Sequence, residues 1–195
     1  MINGLEGYSL ETEKKEIFIV LTNTGTLLSS IIRVVKKAEY GHASISLDKG
    51  LNQLYSFGRL HPYNAFCGRF VREGIHFGTF KRFKDTDCKI YKLLVENSQY
   101  QAMVARITEM TKQKKKYKFN IQGLFLAAFN FRTNRRYRFY CSEFVKHILE
   151  AGNVDISNLP KVVQPDHLQQ IKGASIIYQG LLRDYPAWTG YWLIS

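Results

Sequence analysis

Three residues of this chain have the chemistry for covalent catalysis, and each sits where a regular element would aim it. Cys141 lies where the aromatic run "RFY" (138–140) turns into "CSEFVKHILEAG", a helical pattern with Phe144, Val145, Ile148 and Leu149 inward and Gly152 as its stop. A helix N-terminus offers free N–H groups and the positive end of the macrodipole, which lower a thiol's pKa and favour the thiolate nucleophile. Ser142 and Glu143 then fall in the first turn, where a hydroxyl and an acid are favoured. His42 opens the alternating stretch "GHASISLD" (41–48), with His42, Ser44 and Ser46 on one side and Ala43, Ile45 and Leu47 on the other. An imidazole beside a thiol lowers its pKa and carries its proton. A third polar group usually fixes the tautomer and orientation of such an imidazole. The returning strand of the hairpin, "NQLYSFGR" (52–59), supplies Ser56 for that place. Serine orients more weakly than Asn, Asp, Glu or His. An oxyanion hole needs two donors. The backbone N–H of Cys141 is the natural first. Tyr117, Tyr140 or a side chain of "TNTGT" (22–26) is the second, and the sequence does not choose among them. Each of these residues also has a plain structural reading: a buried small thiol, a histidine at a strand start, a serine in a hairpin.

The elements that must position these groups are legible in outline. "EIFIVLT" (16–22) is β-branched and apolar and reads as a strand. Thr26 then caps an expected helix with Leu27, Ile31, Val34 and Val35 on its apolar stripe. After the His42 hairpin, "LHPYNAFCG" (60–68) reads as a loop, "RFVREGI" and "FGTFKRF" (69–83) as short strands, and "CKIYKLLVE" (88–96) as another strand. Residues 97–116 are helical, with Ser98 as the expected cap and Tyr100, Met103, Val104, Ile107 and Met110 as the buried stripe. "FNIQGLFLAAFNF" (119–131) is apolar and ambiguous. "QPDHLQQI" (164–171) starts a short helix with Pro165 in its first turn, and "GASIIYQGLL" (173–182) is a last strand. Strands and helices do not alternate as βαβ units, so the expected class is α+β on an antiparallel sheet. No linker, low-complexity segment or repeat divides residues 1–195, which predicts one domain.

Composition sets the outer limits. A chain of 195 residues with 45% hydrophobic and 23% charged residues can bury a core and is not of disordered type. The polar N-terminus lacks the apolar core of a signal peptide, and no apolar run approaches a bilayer span, so a cytoplasmic location is expected. Cys67, Cys88 and Cys141 are odd in number and show no CxxC spacing, which argues against disulfides and cysteine zinc sites. The five histidines form no HExxH-type motif, and no cofactor is implied. The net charge of +12 is partly clustered in "KQKKKYK" (112–118) and "RTNRRYR" (132–138). No nucleic-acid motif accompanies it, so nucleic acid is not the expected partner. An anionic surface, whether lipid, polymer or protein, remains open beside a merely solvated basic face.

Taken together, "TNTGTLLSSIIR", "YGHASISLDKGLNQLYSFGR", "FYCSEFV" and "QPDHL" resemble the permuted papain-like cysteine hydrolases. These are circularly permuted relatives of the NlpC-type cell-wall peptidases, in the wider group that includes lecithin:retinol acyltransferase-like proteins. The resemblance spans roughly residues 16 to 172, and histidine precedes cysteine as in the permuted branch. It implies a papain-like α+β fold in which the cysteine helix packs against the sheet carrying the histidine. It implies Cys141 as nucleophile, forming an acyl-enzyme on an amide or ester, and His42 as base and then acid. The family's third polar position maps near Ser56, where a stronger orienter is usual. Three functions follow: an amidase or peptidase acting on a peptide or cell-wall fragment; a thiol acyltransferase or lipid esterase of the same fold; and a non-catalytic basic binding module. In the second, the apolar run before "RTNRRYR" would face lipid. The simpler reading makes that run the core segment feeding the cysteine helix.

Overall fold

The computed structural model describes residues 13–24, 38–61, 64–128 and 136–186. Among these residues the β-branched and aromatic runs form eight strands: β1 (Lys15–Asn23), β2 (His42–Ser46), β3 (Leu54–His61), β4 (Asn64–Glu73), β5 (Asp87–Val95), β6 (Lys118–Phe119), β7 (Arg138–Phe139) and β8 (Ser175–Leu181). They make one sheet in the order β7-β6-β4-β3-β2-β1-β5-β8. Every pairing is antiparallel except β6 with β7. Among the described residues four helices accompany it: α1 (Gly78–Arg82), α2 (Asn97–Lys112), α3 (Ile121–Ala128) and α4 (Cys141–Ala151). The class is therefore α+β, as the lack of βαβ alternation predicts.

Strand alternation splits the sheet into two apolar faces. On one, Ile17, Ile19, Leu21, Ala43, Ile45 and Phe57 pack under Met103, Ile107 and Met110 of α2 and Phe144, Val145 and Ile148 of α4. On the other, Phe18, Val20, Leu54 and Ile90 pack with Phe80, Leu182 and Tyr185. The inward stripe expected for the cysteine helix is buried throughout: Phe144, Val145, Ile148 and Leu149 are all 0% exposed. Burying each such side chain contributes roughly 1.5–3 kcal/mol, so α4 is held tightly on the sheet.

Several expectations are corrected. "FGTFKRF" is not a strand: Gly78–Arg82 forms α1, which buries Phe80 and leaves Lys81 and Arg82 outside. Phe77, Phe80 and Phe83 recur at every third position, so alternation would split them between two faces, whereas a helical turn sets residues three apart on one side. The loop expected at 60–68 is mostly ladder, because β3 runs to His61 and β4 resumes at Asn64. Gly68 in that ladder faces Phe119: a Cβ there would stand 2.6 Å from the Phe119 Cβ, so only glycine lets β6 close on β4. The cap of α2 is Glu96, not Ser98, and the Gln99 side chain closes a box by accepting the Glu96 N–H at 3.0 Å. The first part of the ambiguous run is core: Phe119 and Ala127 are buried, and Ile121 and Leu124 pack against the helix-side cluster. The helix expected after Thr26 lies outside the described residues.

Candidate active site

β2 and β3 pair only at Ile45↔Tyr55 and Ser46↔Leu54. Toward His42 the two strands part, and α4 packs against both of them. This brings the Cys141 thiol to the His42 imidazole. The two side chains are in hydrogen-bonding reach, and the backbone N–H groups of Ala43 and Ser142 are directed at the sulfur. Burial by itself would raise the Cys141 pKa. The bond to His42, the imidazolium charge and those two N–H groups outweigh burial and hold the thiol below its ordinary value.

The far side of the imidazole is occupied by Glu73. Its Oε2 lies 3.3 Å from His42 Nε2 and accepts a hydrogen bond of 2.7 Å from Ser44 Oγ. Glu73 is 6% exposed, so its charge must be matched within the fold. Burial pushes its pKa up, but His42, Ser44 and Ser56 outweigh this and hold it below the usual carboxylate range. For His42, burial would lower the pKa, and the Glu73 charge with the contacts to Cys141 and Glu73 raise it instead. All three shifts run in the direction that favours a thiolate, an imidazolium and a carboxylate.

The structure thus brings together two of the three expected site residues at the imidazole and inserts a fourth. Ser56 is fully buried on β3, yet no hydrogen bond joins it to His42. Its hydroxyl faces the Glu73 carboxylate without a bond of standard geometry and favours the charged form through its dipole. Glu73 comes from the next strand, at the end of β4 and opposite Leu54. The sequence carries a signal for it, because Glu73 is the sole acid between Asp48 and Asp85 and closes a run of otherwise apolar and basic strand residues.

Further contacts hold the two halves in place. The Asp166 carboxylate accepts the backbone N–H groups of Glu39 at 2.8 Å and Tyr40 at 3.0 Å, just before Gly41 and His42. Ser142 Oγ donates to the Val163 carbonyl at 2.8 Å, fixing the start of α4 to the segment that leads to Pro165. "QPDHL", singled out in the sequence, is therefore a 3-10 turn (Pro165–Gln170) that clamps the entrance to the histidine strand. Among the candidates for a second oxyanion donor, Tyr117 lies in the helix-side core with its ring edge-on to Tyr137 and Arg106 over its face. Tyr140 precedes the nucleophile directly and is buried. Thr22 pairs with His42 across β1 and β2, and its hydroxyl is buried without a partner among the described residues.

Cys88, by contrast, is packed in the opposite core, where burial and then Asp87 push its thiol up to about 12. Among the described residues no group of three histidine, cysteine or acidic side chains could hold a metal ion, and no helix is long and apolar enough to cross a membrane. The chain matches no family model, and no curated protein matches it.

Proposed function

We propose that this protein is a cysteine-dependent hydrolase of the amidase or peptidase type, with a permuted papain-like fold. The observation that carries the reading is the line Cys141–His42–Glu73, with the thiol at one side of the imidazole and a buried carboxylate at the other. Burying a carboxylate and an imidazolium costs several kcal/mol before pairing. A module that only bound anions would gain nothing from such an arrangement. The order of histidine strand before cysteine helix, both on one sheet, supports the permuted papain-like assignment.

The thiolate of Cys141 attacks the carbonyl carbon of an amide or ester. The tetrahedral oxyanion takes a hydrogen bond from the Cys141 N–H at the helix start. His42, held by Glu73, gives its proton to the departing nitrogen or oxygen, leaving an acyl-thioester on Cys141. The neutral imidazole then takes a proton from water, whose oxygen attacks the thioester carbonyl. Collapse of the second tetrahedral species releases the acid and restores the thiolate and imidazolium. An acceptor hydroxyl or amine in place of water would give acyl transfer by the same steps.

The test is covalent. Incubation with 4-nitrophenyl acetate should leave an acetyl group on Cys141, resolved by peptide mass spectrometry, and His42→Ala should slow its formation. Iodoacetamide should label Cys141 ahead of Cys67 and Cys88 near neutral pH. Equal labelling of all three thiols would end the proposal.

A further inference from the structure

Arg69, Lys118 and Arg138 form one cross-strand row, with Arg69 paired to Lys118 across β4 and β6 and Lys118 paired to Arg138 across β6 and β7. Their neighbours Phe70, Phe119 and Phe139 point into the helix-side core. By alternation the three cations project from the opposite face. That is the face of β4 on which Glu73 lies, since residues 69, 71 and 73 share a side. Like charges directly opposite one another weaken a sheet. Among the described residues none of the three cations has a carboxylate partner. The only acidic side chains outside the described residues are Glu6 and Glu11. Lys118 and Arg138, the last residues of the two basic runs, are thus set in register with Arg69 at a cost to the sheet.

The row also abuts the site. Across β3, Arg69 is paired with Gly58. A Cβ at Gly58 would stand 3.2 Å from Glu73 Oε1 and 3.4 Å from Ser56 Oγ, so the row begins one residue pair from the carboxylate that holds His42. At its other end, Arg138 lies on the strand that runs into Cys141. Neighbouring strands are about 4.8 Å apart, so the three cations span roughly 10 Å. That width and charge suit a group with more than one negative charge, and the forked guanidinium groups suit phosphate oxygens. We propose that Arg69, Lys118 and Arg138 form an anion subsite that holds a phosphate-class group of the substrate while its acyl carbon lies at Cys141. This rests on Cys141 being the nucleophile.

Inorganic pyrophosphate is the probe, with glutarate as the carboxylate arm. The full chain should bind pyrophosphate by calorimetry more tightly than glutarate, and pyrophosphate should slow iodoacetamide labelling of Cys141. The variant Arg69→Gln/Lys118→Gln/Arg138→Gln should bind pyrophosphate at least about tenfold more weakly, the loss of a few exposed charge contacts. The variant Lys114→Gln/Lys115→Gln/Lys116→Gln loses the same charge off the row and should bind within about twofold of the parent, since only nearby charges act strongly in salt. Thermal melts establish that both variants fold. Equal weakening in the two variants would mean a general basic surface and overturn the proposal. Absent binding, preference for glutarate, or binding that leaves Cys141 labelling unchanged would also overturn it. If unliganded Cys141 labels no faster than Cys88, the nucleophile assignment has failed instead, and the calorimetry reads the anion site independently.

Discussion

Replacing Glu73 by Gln tests the charge state of the whole site with one atom-for-atom change. In the native protein the carboxylate lies 3.3 Å from His42 Nε2. At an effective dielectric constant near 20, opposite charges at that separation attract by about 5 kcal/mol. Only part of this survives as a net term, but about 1.4 kcal/mol suffices to move a pKa by one. Without the charge, burial dominates His42 and the imidazole becomes neutral near pH 7. The thiol then loses the imidazolium that offsets its own burial, and its pKa returns to the ordinary range or above. For a thiol of pKa about 8.5 the thiolate fraction rises roughly 75-fold between pH 6 and pH 8. If the ion-paired site holds Cys141 as a thiolate over this interval, its labelling should change by less than about twofold. The assay is iodoacetamide labelling followed by mass spectrometry, with Cys88 as the slow internal reference. Absolute rates are a poorer guide, because a low-pKa thiolate is intrinsically less nucleophilic. The slope of rate against pH is unaffected by that offset. A native slope near tenfold per pH unit, or a flat profile in Glu73→Gln, would refute the ion-paired site.

The same pair predicts the acid limb of stability. Glu73 has a folded pKa below its unfolded one, so its contribution is present above about pH 4.5 and is lost as pH falls through the lowered folded value. The thermal midpoint of Glu73→Gln should therefore fall less steeply than that of the parent below pH 4.5; parallel curves would contradict the buried carboxylate. Asp166→Ala removes two charge-assisted bonds to the backbone of Glu39 and Tyr40. It should cost about 1–3 kcal/mol in chemical denaturation and slow Cys141 labelling, with Asp166→Asn intermediate. Gly68→Ala drives a methyl into the Phe119 ring, with contacts of 2.6–2.9 Å before relaxation. It should destabilise by about 1–3 kcal/mol, and an unchanged denaturation midpoint would show that β6 does not close on β4 as described.

What the sequence reveals and what it hides divide along local and long-range physics. The cysteine helix and the histidine strand are legible because each carries a complete local pattern: four inward apolar residues at helical spacing, and strict alternation about Ala43 and Ile45. The α+β class follows from the missing βαβ alternation. The third member of the site is not local. A hairpin argument reaches only the strand next in sequence, and so it reaches Ser56 on β3. The sheet order places β4 beyond β3, and its last residue, Glu73, is level with the paired Leu54 and Ser46, from where its carboxylate reaches Ser44 and His42. A lone acid ending a strand of Phe, Val and Arg marks a group that something buried must need, and that signal is readable without a structure. The cationic row is hidden for a stronger reason. Arg69, Lys118 and Arg138 come from three separate segments, and only the short parallel pairing of β6 with β7 sets the last two side by side. Each residue alone is an ordinary surface cation. In register, three of them repel, and a fold that keeps them so beside its reactive thiol has placed positive charge where a substrate's negative charge would have to sit.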